Sequence, residues 1–211
     1  LKLRLPHIAL ITLVAGFPVG ALGQTGGQPE RPDVGEALRS GDLQGAARSA
    51  RELAEAGDVE GQYKLSLFFW HGVALTQNFE EAIRWSTLAA IRGHKKAAAA
   101  RRQMSTTLDP ALVLKAMDWA RGRMAKSAEG GDDDALLAMA ASYSASFGAA
   151  NDIEAYYWNV LAVAAGKAEA RRQRDALVSR LKQPELLKTQ QRANEWHGRF
   201  RAQKSERGAR L

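Results

Sequence analysis

Histidines and clustered carboxylates are the side chains of this sequence best suited to chemistry. Four histidines are present. His7 lies in an apolar N-terminal stretch, and His71, His94 and His197 are scattered along the chain. None has a carboxylate or a second histidine four residues away, the spacing at which one helix face presents two ligands to zinc. Asp132-Asp133-Asp134 concentrates negative charge but lacks the spaced oxygens, the glycine and the closing glutamate of a calcium loop. Glu80-Glu81 and Glu154 fall in the first turns of expected helices, where carboxylates offset the helix dipole. Capping and dipole chemistry account for all of these acids. No glycine-rich phosphate loop and no G-x-S-x-G elbow occurs. Cysteine is absent, which removes thiolate chemistry and disulfides. The sequence therefore names no catalytic residue, no metal ligand and no cofactor.

The elements that would position any site are helical. Ala, Leu and Arg dominate, and no alternating apolar run suggests a sheet. A spacing occurs twice. Gly57-Asp58 opens a stretch that closes at Gly93, and Gly131-Asp132 opens one that closes at Gly166. Each holds an aromatic (Phe69, Tyr143), a Glu-Ala pair (Glu81-Ala82, Glu154-Ala155) and a tryptophan (Trp85, Trp158) in matching order. The offset is 74 at the first glycine and 73 at the tryptophan, so the second loop is one residue shorter. Gly-Asp punctuation stops one helix and caps the next. Helices are expected over 34–39, 43–56, 59–70, 79–92, 95–106, 110–128, 133–146, 151–165, 167–181 and 184–204. A period of this size in helix-forming sequence predicts an all-α fold, an α/α solenoid of antiparallel helix pairs, and solenoids usually bind rather than catalyse.

The ends differ from the middle. Residues 1–23 read as a secretory signal peptide. Lys2 and Arg4 precede an apolar run from Ile8 to Val19, and Ala21-Leu22-Gly23 places small residues for cleavage before Gln24. The apolar run is shorter than the ~20 residues that span a bilayer; an uncleaved anchor is the alternative. An exported, periplasmic or secreted chain is expected. Residues 24–32 form a Gly/Pro/Gln linker, residues 33–205 the helical domain and residues 206–211 a frayed tail. The formal charge is +7, and much of the excess lies near the ends. No nucleic-acid-binding signature accompanies it. Arg199, Arg201, Lys204, Arg207 and Arg210 give the last helix a basic character suited to weak contact with an anionic membrane surface or an acidic partner.

The segment 57–97 resembles the Sel1-like repeat, a relative of the tetratricopeptide repeat. The resemblance rests on Gly57, Gln62, Leu65, Phe69, Gly72, Ala82, Trp85, Ala89, Ala90, Gly93 and Ala97. The chain departs at Gly61, where the pattern has Ala, and at Ser66 and Ala74, where it has Gly. It departs also at Leu75 and Asn78. The second unit matches more loosely through Gly131, Ala135, Met139, Tyr143, Ala155, Trp158, Ala162, Gly166 and Ala170. Repeat one spans about 54–97 and repeat two about 128–170, each followed by capping helices. The resemblance implies a superhelical scaffold or adaptor that mediates protein–protein interaction in the bacterial cell envelope. A cell-wall, β-lactam or peptidoglycan-fragment binding protein or enzyme is the alternative it implies. Trp85 and Trp158 stand at the repeat's fixed tryptophan and read as packing residues. Lys64, Phe68 and Trp70 stand at positions the family leaves variable, and so are the candidate residues for contact with another protein or peptide; the competing reading has Phe68 and Trp70 covering the preceding helix.

Overall fold

The computed structural model describes residues 33–148 and 150–208. The expected signal peptide at 1–23 and linker at 24–32 lie outside the described residues, as do residues 209–211. The described chain is all-helical, with no strand. Its helices are α1 (Val34–Arg39), α2 (Leu43–Glu55), α3 (Val59–His71), α4 (Phe79–Ile91) and α5 (Lys95–Ser105). They continue as α6 (Pro110–Glu129), α7 (Asp133–Ser142), α8 (Asp152–Ala164), α9 (Glu169–Val178) and α10 (Gln183–Gly208). No helix among the described residues is long and apolar enough to cross a membrane.

Helix starts follow from short polar side chains. Asp42, Asp58, Asn78, Asp132 and Asn151 each accept a backbone N–H of the first turn that follows. Helix ends follow from glycine. Gly57, Gly93, Gly131 and Gly166 have φ of 94°, 90°, 100° and 91°. At each, the glycine N–H and the next residue's N–H reach back to two carbonyls of the last turn; at the first corner these are Gly57 to Ala54 (3.1 Å) and Asp58 to Leu53 (2.8 Å). This is the double closure that a left-handed residue permits.

Two helices act as hubs. α4 packs against α3, α5 and α6, and α8 packs against α7, α9 and α10. α4 is apolar nearly all round, as a helix covered on several sides must be; Ala82, Ile83, Trp85, Leu88, Ala89, Ala90 and Ile91 are all buried. The main core runs through both hubs, from Val34 to Ala193. Arg92, at the end of α4, ties two corners. Its Nη1 donates to the Gly57 carbonyl (2.9 Å), and its Nη2 lies 3.8 Å from Asp132 Oδ2.

The structure departs from the expected helix boundaries in places. α7 stops at Ser142 and is followed by a 3-10 turn over Ala145–Phe147. The cause is the shorter loop. Asn78 N–H closes the first loop on the Phe69 carbonyl at 3.0 Å, and Asn151 N–H closes the second on Tyr143 at 3.0 Å with one residue fewer between them. The last turn of α7 unwinds to supply the length. Phe147 then packs over Ala89, Ala90 and Ala97 of the first half. Buried Arg101 secures it there, donating to the Phe147 carbonyl and to Thr87 Oγ1 (both 3.2 Å). α10 runs on to Gly208, past the expected end of the domain at 205.

One departure from the resembled pattern has a structural reason, and another places a side chain on strained backbone. A Cβ on Gly61 would stand 2.6 Å from Leu53 Cβ and 3.0 Å from Ala54 N, because α2 and α3 touch there backbone to backbone. Ala74 adopts φ 59°, a conformation that glycine takes without cost. Gly61→Ala is expected to lower stability although alanine is the better helix former by ~1 kcal/mol. Ala74→Gly is expected to raise stability by about 0.5–1 kcal/mol, because relief of left-handed strain exceeds the added chain entropy. Urea unfolding of both variants checks this pair of opposite signs.

Candidate functional site

α3 carries the three residues singled out from sequence, and the structure separates them. Successive residues turn by ~100°, so Lys64 and Trp70 bound an outward arc of roughly 120°. Glu60, Tyr63, Leu67 and His71 lie within that arc. Tyr63, Lys64, Leu67 and Trp70 are half-buried, and Glu60 and His71 are exposed. Phe68 lies outside it and is a correction to the sequence reading. It is 8% exposed and belongs to the main core, so it is not available to a partner. Trp70 leans on that core and packs its ring on Phe79, with centroids 4.9 Å apart. Gln77 Nε2 donates to its carbonyl at 2.9 Å, which holds the end of α3 against the loop.

Tyr63 and Leu67 were missed. The signal that finds them is the helical period counted from Lys64, because positions three and four apart share a face. Leu67 is a half-buried leucine outside the clusters that form the core of the described residues. The matching arc on α7 carries Asp134, Leu137 and Ala141, with no aromatic among them.

One edge of the arc is held by a cross-helix pair that no local spacing reveals. His94, just before α5, lies 2.8 Å from Glu60 through Nε2. Its Nδ1 accepts the Ala97 N–H at 3.0 Å, which fixes the ring proton on Nε2 and makes His94 the donor to Glu60. Tyr63 packs on the imidazole, with centroids 4.7 Å apart. Burial works to raise the Glu60 carboxyl, but the hydrogen bond from His94 and the charges of Lys64, His94 and Lys96 outweigh it and hold it below the ordinary carboxylate value. Glu60 therefore contributes stability at neutral pH that is lost as pH falls through its lowered pKa. Lys64 stands 3.7 Å from Glu60.

The acids expected to serve helix ends do so. Asp132 caps α7, accepting from Asp134 and Ala135 N–H at 3.1 and 3.3 Å. Glu80 and Glu81 both pair with Arg84. Glu81 Oε2 also accepts from Trp85 Nε1 at 3.0 Å. Its counterpart Glu154 instead takes Arg192 of α10 through both guanidinium nitrogens, while Arg192 stacks 3.8 Å over the Tyr157 ring. Trp158 Nε1 is left buried without a partner. His71 is exposed and His197 half-buried. Among the described residues no group of three or more His, Asp or Glu is arranged to hold a metal ion. Arg199 is exposed on α10, but the side chains of Arg201, Lys204, Arg207 and Arg210 lie outside the described residues, and with them most of the expected basic surface.

No protein-family model matches the chain, and no curated protein matches it.

Phe68→Ala is expected to destabilise the fold by about 3–5 kcal/mol as a core cavity. Leu67→Ala on the adjacent outward position is expected to cost under about 1 kcal/mol. Thermal and denaturant unfolding of the two variants checks which face of α3 supports the fold.

Proposed function

We propose that this chain is an exported helical-repeat adaptor that binds another protein or peptide in the cell envelope. In this reading the two hub-centred halves are Sel1-like units of a solenoid, and α3 presents the contact surface. The observation that carries the reading is the outward arc of α3. It offers Tyr63, Leu67 and Trp70 as apolar contacts and Lys64 as a cation, on a helix fixed by packing on both sides. Aromatic anchors flanked by a charge commonly dominate protein contacts. Rigidity adds to this, because a preorganised face loses little entropy on binding.

Matched corners support the repeat assignment. The same double closure and the same hub arrangement occur in both halves, and the pairs Asp58/Asp132 and Asn78/Asn151 cap matching helices. Residues equivalent by an offset of 73 also share roles, as Ala120 of α6 and Ala193 of α10 are both fully buried on the last helix of each half. α10 packs on α8 as α6 packs on α4, the place of a capping helix in each unit. Export rests on the composition of residues 1–23.

Capture from a native envelope fraction tests the reading. Wild-type protein is expected to retain a partner that Leu67→Ala/Trp70→Ala retains at least tenfold less, with the helical circular dichroism unchanged. Equal retention by the folded double variant removes α3 as the contact surface.

A further inference from the structure

The same acid–base position is filled by different bases in the two halves. In the first half Glu60 meets His94, one residue after the corner glycine. In the second, Asp134 meets Lys167, also one residue after its corner glycine. Lysine stays charged across the accessible pH range, whereas histidine changes charge between about pH 5 and 8.

The corners after these bases also differ. His94 is extended, at φ −72° and ψ 106°, and its Nδ1 caps Ala97. Lys167 offers no such cap, and α9 begins at Glu169 with no side-chain cap; Ala168 before it is already helical, at φ −62° and ψ −31°. Ala97 and Ala170 are equivalent by the 73-residue offset, and both are buried. Ala97 N–H is satisfied by the imidazole, and Ala170 N–H by the Lys167 carbonyl at 3.2 Å. One corner thus occurs in two forms in one molecule, a side-chain-capped form and a tightened form.

We infer that His94 is a proton-operated cap that converts the first corner from the capped form toward the form seen at Lys167, and that this regulates the α3 arc. Protonation places a hydrogen on Nδ1, so two donors face each other and the buried Ala97 N–H loses its acceptor. The imidazolium also faces the positive end of α5 and the adjacent Lys95 and Lys96. Glu60 keeps it, because a charged pair through Nε2 is stronger than a neutral one. The groups that meet the ring are Glu60 and Tyr63 from α3; Lys64 of α3 and Lys96 of α5 act on Glu60, while Arg92 of α4 is turned toward Gly57 and Asp132. The ring therefore leaves α5 and stays on α3. Tyr63, packed on that ring, moves with it, and its half-buried face on the arc changes. The side chain is 15% exposed, so a proton can reach it.

The regulatory role rests on the proposed binding reading; the cap itself does not. A nuclear magnetic resonance titration of the full chain tests the cap without a partner. At high pH His94 is expected as the Nε2–H tautomer. As it titrates, the Ala97 amide is expected to shift with the same midpoint and to lose about fivefold in protection relative to its intrinsic exchange rate at each pH, the size of a lost helix cap. His94→Asn, whose side-chain oxygen caps without titrating, is expected to hold the Ala97 amide constant with pH. His94→Lys is expected to show the lowered protection at every pH. An Nδ1–H tautomer at high pH, or an Ala97 amide that ignores the titration of His94, overturns the cap. If the cap behaves as expected, partner retention that is pH-independent in wild type overturns its regulatory role. Retention unaffected by Leu67→Ala/Trp70→Ala instead overturns the binding reading and leaves the cap standing.

Discussion

Everything in this fold hangs on a glycine that turns left at the end of a helix. An L-residue with a side chain in that conformation costs roughly 1–2 kcal/mol, so glycine decides where each corner can be. The four corners at Gly57, Gly93, Gly131 and Gly166 share nearly one value of φ. Each returns two N–H groups to the helix just ended, which leaves the following residue free to start the next helix. Helix direction is thus set by backbone hydrogen bonds before any side chain packs. The hubs α4 and α8 can be covered on several sides because the corners bring their neighbours back at a fixed angle.

What was legible in the sequence was this punctuation and its consequences. Gly-Asp and loop-Asn spacings locate most helix starts, since a small polar side chain before an apolar period has few other uses. The tryptophans at 85 and 158 are buried, as packing residues should be. What was not legible depends on contacts across helices. Phe68 is four residues from half-buried Lys64, but the core reaches over that edge of α3 and takes it in. His94 and Glu60 are separated by 34 residues, so no motif links them. The early end of α7 follows from a single missing loop residue. A deletion is visible by alignment of the halves, but which helix gives way is set by where Phe147 must land on Ala89, Ala90 and Ala97.

Helices α3–α6 and α7–α10 have matching corner closures and hub packing, but their polar bonds are distributed differently. In the first, Glu81 serves both Arg84 and the Trp85 indole. In the second, Arg192 arrives from α10 and takes both oxygens of Glu154. Arg192 stands where Trp119 stands in α6 by the 73-residue offset, and Trp119 packs edge-on against Trp85 at 5.2 Å. An aromatic contact at one of these positions is matched by an ion pair at the other. The unsatisfied Trp158 Nε1 and Asn159 Oδ1 are the local cost, since buried polar atoms without partners oppose folding. The second half is held to its last helix by charge where the first is held by rings, and salt screens the former more strongly.

Arg92 has a consequence for how the chain assembles. It joins corners that no single helix pair contains, yet its bond to Gly57 closes a separation of only 35 residues. Contacts in both halves run mainly between neighbouring helices or across one intervening helix. Such a chain has little distant pairing to find, and its contact order is low. Domains of this kind fold in roughly microseconds to milliseconds, because little loop-closure entropy is lost before contacts form. With both corners in place, Arg92 makes their later loss cooperative. Opening the first half at Gly57 removes the hydrogen bond that holds Arg92 beside Asp132. A residue at the end of one helix thereby joins two locally folding segments into one kinetic unit.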